Sequence, residues 1–150
     1  MIPAHFKSSV EFDSRHPEAL AIYCSDGRFA DSIEQLLQQH GFHFHDTINL
    51  PGGPGIFDSL TGTYVSAEVM RGCSNFLIQG HKIKSVFLLA HAGCGHYVQK
   101  YPGESAEKIR EIQLKDMEYA RKIILQTNTV EVRKYYVTPV DKHLVFELIP

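Results

Sequence analysis

Apolar positions along the chain follow two rhythms, short unbroken runs and longer helical periods. Residues 19–24 form a continuous apolar run between Pro17 and Asp26-Gly27, which predicts a strand buried on both faces with Cys24 at its carboxyl end. Residues 85–91 form a second such run, suited to the middle of a parallel sheet and ending on His91. Between the two, residues 30–40 place Ile33, Leu36 and Leu37 at helical spacing and stop before Gly41. Residues 42–48 alternate Phe42, Phe44 and Asp46 against His43 and His45, which predicts another strand. The loop 49–55 that follows is too rich in Gly and Pro for regular structure. Asp58 or Ser59 is then the expected cap of a helix that reaches Gln79, carries Tyr64, Val65, Val69, Phe76 and Leu77, and ends at Gly80. Beyond a Gly-rich turn and a loop through Pro102-Gly103, residues 104–126 set Ile109, Ile112, Met117, Ala120 and Ile124 on one side and charges on the other, an amphipathic helix. Residues 130–137 and 144–149 predict two strands joined by a turn at 139–142 short enough for an antiparallel hairpin.

Strands alternating with helices in this order predict an α/β fold: a single domain over residues 1–150 with a mainly parallel β-sheet flanked by helices and an antiparallel edge strand at the C-terminus. No repeat, low-complexity tract or linker interrupts it. Ligands in such sheets sit beyond the carboxyl ends of the strands, where the strand order reverses. If the first strand lies between the second and third, that point falls between the strands ending in Cys24 and His91, and Cys94 joins them from the following turn.

Composition narrows the partners. A formal charge of -2 gives no basic field to attract nucleic acid or an anionic membrane, so a small neutral or anionic ligand is expected. No run is long and apolar enough to cross a bilayer, and residues 1–12 lack the basic start and apolar middle of a signal peptide, which together predict a soluble, cytoplasmic protein. The 3 cysteines are an odd number and point to reduced thiols rather than a disulfide framework. Among the 9 histidines, His5, His16, His40, His43 and His45 lie among polar or turn residues, where a solvated imidazole is expected.

The chemistry-bearing residues cluster at two strand ends. Two thiolates and an imidazole suit the borderline-soft Zn²⁺, and His91-x-x-Cys94 lets one turn supply two of them while Cys24 comes from across the sheet. Cys24-x-Asp26-x-Arg28 adds a carboxylate within reach of that metal, as a fourth ligand or a hydrogen-bond acceptor, and a guanidinium within reach of the carboxylate. Cys73, inside a helix without companion ligands, reads as a core residue, and His96 with Tyr97 reads as an exposed loop pair ahead of the alternative that the two line the pocket or relay protons. Arg28 follows Cys24 too closely to frame the phosphate cradle of a cysteine phosphatase. Neither Cys24 nor Cys94 has the neighbour a redox dithiol needs, G-x-G-x-x-G is missing after the first strand, and no Lys-Ser/Thr pair completes a phosphate loop at 51–55.

Cys24-Ser25-Asp26-Gly27-Arg28 together with His91-Ala92-Gly93-Cys94-Gly95 resembles the paired signature of the β-carbonic anhydrases, including the distance between the halves. It is most similar to a compact branch with a C-x-D-G-R-F segment and a P-G-G loop. The resemblance implies zinc bound by Cys24, His91 and Cys94, and Asp26 as a gating ligand or acceptor with Arg28 as its partner. It implies a homodimer or higher homo-oligomer, and reversible hydration of CO₂ to bicarbonate by a zinc-bound hydroxide. Two other readings stand beside it: a zinc hydrolase of carbonyl sulfide or carbon disulfide, and a noncatalytic zinc module that binds bicarbonate. The chain departs from the family in its shorter segment before Cys24, in Asn49-Leu50-Pro51-Gly52 where R-N-A-G is usual, and in Gly27 where serine is common. For the subunit contact, Phe57 and the run Phe76-Leu77-Ile78 are the expected apolar surface.

Overall fold

The computed structural model describes residues 5–150, so part of the segment read for a signal peptide, residues 1–4, lies outside the described residues. Five strands form one sheet in the order β2-β1-β3-β4-β5, in which β1 is Ala19–Tyr23, β2 Asp46–Asn49, β3 Ser85–His91, β4 Glu131–Val140 and β5 His143–Ile149. The first four run parallel, and β5 pairs antiparallel with β4 from Lys134↔Ile149 to Val140↔His143. The tight turn between them carries Asp141 at φ 54°, a left-handed position that Asp tolerates better than most residues. The first strand does lie between the second and third, so β1 and β3 end side by side.

Because side chains alternate across a strand, the apolar runs serve two cores at once. Leu20, Ile22, Val86, Leu88 and Ala90 face α2 (Tyr64–His81) and α4 (Ala106–Thr127), where Met70, Ile78, Met117, Ala120 and Ile124 meet them. Ala19, Ala21, Tyr23, Phe87 and Leu89 face the opposite way, under Phe29 and under Ile33 and Leu37 of α1 (Ala30–Gln39). Every residue of β3 is buried. Truncating Leu88 or Phe87 to Ala would remove about 2–5 kcal/mol of stability through lost transfer energy and the cavity left behind. The strands that lead to Cys24 and His91 are therefore held from both faces.

Several boundaries depart from the sequence expectations, each for a local reason. The expected strand 42–48 shrinks to Asp46–Asn49, because Phe42 turns edge-on to Phe87 and fills the lower core as irregular chain. The loop 49–55 contains regular structure after all, a 3₁₀ turn at Gly53–Phe57 whose residues are all buried. Asp58 caps only a turn, accepting from Leu60 N, and the helix starts later, where Thr63 and Ser66 form a reciprocal capping box. That helix passes through Gly80 and ends at Lys82, which takes the left-handed conformation at φ 57°. A six-residue helix, α3 (Gly95–Lys100), occupies what the sequence reads as turn and loop. Cys73 is exposed rather than in the core. His40 is not freely solvated, since it is held between Arg133 and Tyr135. Phe57 and Ile78 are core residues, 1% and 4% exposed, which leaves Phe76 as the exposed member of the expected contact surface.

Candidate metal centre

β1 delivers Cys24 one residue past its end, and β3 ends on His91 itself. Gly93, at φ 69°, then lets the chain turn sharply enough for Cys94 to fold back toward both. The donor atoms of Cys24, His91 and Cys94 all lie within 4.8 Å of one another, and the two sulfurs are 3.9 Å apart, too far for a disulfide. His91 and Cys94 are buried and Cys24 is half-buried.

Two features show that this trio suits a metal ion. His91 Nδ1–H donates to the Ala92 carbonyl at 2.9 Å, which fixes the tautomer and leaves Nε2 as a lone-pair donor; Nε2 is buried and without a hydrogen-bond partner among the described residues. The thiols share one proton unequally. Hydrogen bonding from Cys94, with the Gly52 amide beside it, pulls Cys24 to the thiolate side, whereas that same thiolate neighbour and burial push the Cys94 thiol up. Two sulfurs and one imidazole nitrogen make a soft donor set of the kind that zinc takes in tetrahedral sites with one position left over.

Asp26 is not among the converging donors. Its carboxylate is held by Arg28, which donates from Nε to Oδ1 at 2.9 Å and from Nη2 to Oδ2 at 2.5 Å, with the Arg28 amide adding a third bond at 3.1 Å. This grip holds the Asp26 carboxyl down at about 2. The Arg28 side chain is otherwise 82% exposed, so Asp26 is what holds it in place. Beside the pair opens a cleft of about 770 Å³ bordered by Arg28, Phe29, Gly93, Lys142, His143 and Phe146. Against the ligands themselves lies a much smaller recess of about 10 Å³, walled by Phe29, Leu89, Val137, Cys24 and His91.

The glycines of the 49–55 loop explain how the third ligand is seated. A Cβ on Gly53 would lie 2.8 Å from the Cys24 amide nitrogen, and one on Gly52 would lie 2.7 Å from the His96 ring. The loop thus presses backbone to backbone against Cys24, and Ser25 N donates to Leu50 O at 3.3 Å. His96 and Tyr97 are not an exposed pair: Tyr97 is 1% exposed, and His96 Nε2 donates to the Thr61 carbonyl at 3.0 Å.

A family profile with the description "Putative carbonic anhydrase" matches residues 14–148. The chain belongs to that carbonic anhydrase family. Solved β-carbonic anhydrases share its fold at low sequence identity. One from the fungal pathogen Aspergillus fumigatus aligns with a TM-score of 0.60 at 14% identity, over 89% of this chain and 76% of its own. A tetrameric enzyme of the filamentous ascomycete Sordaria macrospora gives 0.58 at 16%, over 89% and 81%. The Coccomyxa enzyme, solved with acetazolamide, gives 0.55 at 17%, over 91% and 75%. No curated protein sequence matches the chain. Among the described residues no helix is long and apolar enough to cross a membrane.

Three buried polar residues near this cluster went unread in the sequence, Thr61, Gln113 and Asp116, and all three belong to a network that also holds the buried Tyr97 or His91. A signal for two of them was present, since Gln113 and Asp116 fall in the apolar stripe of α4 among Ile109, Met117 and Ala120, where a polar residue needs a reason.

Proposed function

We propose that this protein hydrates CO₂ reversibly to bicarbonate, releasing one proton per turnover, with one Zn²⁺ held by Cys24 Sγ, His91 Nε2 and Cys94 Sγ. The observation that carries the reading is the convergence of these three donors within 4.8 Å at adjoining strand ends, with His91 Nε2 freed for ligation. Membership of the carbonic anhydrase family supports the same chemistry. The ion supplies a bound water acidified to a pKa of about 7, and so hydroxide at neutral pH.

The chain's own residues do the rest. The apolar walls of Phe29, Leu89 and Val137 beside Cys24 and His91 suit a small nonpolar substrate. Asp26 would be the carboxylate that competes for the bound ion, and Arg28, by gripping it at both oxygens, would hold it away. The wide cleft past Arg28 gives water and bicarbonate a route to that face.

Two wider features complete the reading. Ligand thiols that must stay reduced fit a cytoplasmic setting. Val65, Val69 and Phe76, spaced 4 and 7 residues apart on α2 and 71%, 51% and 74% exposed, support a homodimer or larger homo-oligomer; sedimentation that returns only 17.0 kDa monomer at micromolar concentration would remove that part.

The test is stopped-flow CO₂ hydration by zinc-loaded protein. Turnover that vanishes in a Cys24→Ser variant is the expected result. A fully zinc-loaded parent without hydration activity would overturn the reading and leave the carbonyl sulfide and carbon disulfide assays, or bicarbonate binding, to be measured.

A further inference from the structure

Two polar residues interrupt the buried stripe of α4 one turn apart, Gln113 at 1% and Asp116 at 6% exposure. Gln113 Nε2 donates to the carbonyl of His91 at 2.9 Å, and its Oε1 accepts from the Tyr136 hydroxyl at 3.2 Å, so the amide is held at both ends. Asp116 Oδ2 accepts from two hydroxyls, Tyr97 at 2.6 Å and Thr61 at 2.9 Å, while Tyr101 donates to Thr61 Oγ1 at 3.0 Å.

The chain positions of these partners matter more than their number. Tyr97 sits one turn past Cys94 on α3, and its ring packs with Cys94 and Ile109. Thr61 closes the segment that begins with the Gly52-Gly53 contact on Cys24, and its carbonyl also holds His96. One carboxylate oxygen therefore ties the helix carrying Cys94 to the loop that backs Cys24, and a glutamine one turn earlier fixes the peptide of His91. Packing alone does not call for this arrangement. Burial pushes the Asp116 carboxyl up, a sign of what it costs to keep there, and apolar residues of similar volume would fill the space at lower cost. Nor is there slack: a Cβ on Gly55 would fall 1.8 Å from the Tyr97 hydroxyl and 3.2 Å from Asp116 Oδ2.

The geometry points to Gln113 and Asp116 as positioning residues of the metal centre, which set the spacing of the Cys24, His91 and Cys94 donors and hence metal affinity without touching the ion. This inference rests on the zinc reading above. Loss of an outer partner of a metal ligand costs about 10–100-fold in affinity in well-studied sites, because the ligands must then be ordered by the ion itself.

The experiment measures zinc dissociation constants by chelator competition, and the absorption spectrum of the Co²⁺-substituted protein, for the parent, Gln113→Met, Asp116→Asn and Tyr97→Phe. The expected result is zinc binding about 10–100-fold weaker in the variants and a shifted thiolate-to-cobalt band, in chains whose metal-free circular dichroism matches the parent. A residue that only filled the core would lower the melting temperature and leave affinity and spectrum unchanged, and that result overturns the inference while the zinc reading stands. A parent that binds neither metal overturns both. Should Gln113→Met or Asp116→Asn not fold, Tyr97→Phe, which loses a single oxygen and keeps the ring, decides the question by the same two readouts.

Discussion

Arg28 grips Asp26, two residues past Cys24, at both carboxylate oxygens, 2.9 Å from Nε to Oδ1 and 2.5 Å from Nη2 to Oδ2. On the proposed function, the pair would put the carboxylate in competition between a guanidinium and the bound ion. It holds the Asp26 carboxyl at about 2, so Asp26 is ionised at any pH where the protein works, and its own protonation does not shape the activity profile. Activity is expected to rise with pH through about 7, as the metal's water ionises.

Arg28→Ala should keep zinc and lower hydration across that range, since nothing then draws Asp26 away. Arg28→Lys should recover only part of it, because a single ammonium cannot reproduce the two-point grip. Hydration rate against pH at matched zinc content is the check. An Arg28→Ala profile lying on that of the wild type would remove the gating role and leave the ligands untouched.

Gly53→Ala places a methyl 2.8 Å from the Cys24 nitrogen at a residue with φ 55°. Both effects act on backbone that cannot yield without moving the ligand, and a loss of about 1–3 kcal/mol in stability is expected, with weaker zinc binding. Gly27, in the neighbouring turn, has open space around it, and Gly27→Ala should stay within about 0.5 kcal/mol of the parent. Denaturant titration of both variants checks the contrast.

The skeleton of this account was legible in the sequence because the relevant signals are local. β3 is an unbroken apolar run that the structure places at Ser85–His91 as expected, and the ligand types sit at strand ends with recognisable spacing. What escaped depends on contacts between distant segments. A six-residue helix such as α3 is too short to show a period, so Tyr97 looked like loop; its partner Asp116 is 19 residues away and Thr61 a further stretch upstream. The glycine loop read as irregular because composition reports conformational freedom, whereas here Gly53 and Gly55 are required for close approach to Cys24 and Tyr97. Asp58 or Ser59 is the cap that residue type suggests, yet the Asp58 side chain accepts from Leu60 N and the helix is capped by Thr63.

Tyr97 makes a pH prediction of its own. Burial, reinforced by the charge of Asp116, raises its phenol above the ordinary value near 10. The native state thus keeps a proton that the unfolded chain releases above about pH 10, so stability should be intact below that pH and fall as pH rises beyond it. Phenolate absorbance should show one tyrosine that ionises only with loss of the native circular dichroism signal. A set of tyrosines all titrating near 10 in the folded protein would contradict its burial.

The most direct measurement is X-ray absorption at the zinc edge on protein purified without added metal, with zinc content per chain determined on the same sample. One zinc per chain is expected, with a first shell of two sulfurs at about 2.3 Å and one imidazole nitrogen at about 2.0–2.1 Å, falling to one sulfur or to no metal in Cys94→Ser. A folded chain that carries no zinc, or zinc whose shell holds only oxygen and nitrogen, would contradict the assignment of Cys24, His91 and Cys94 as its ligands.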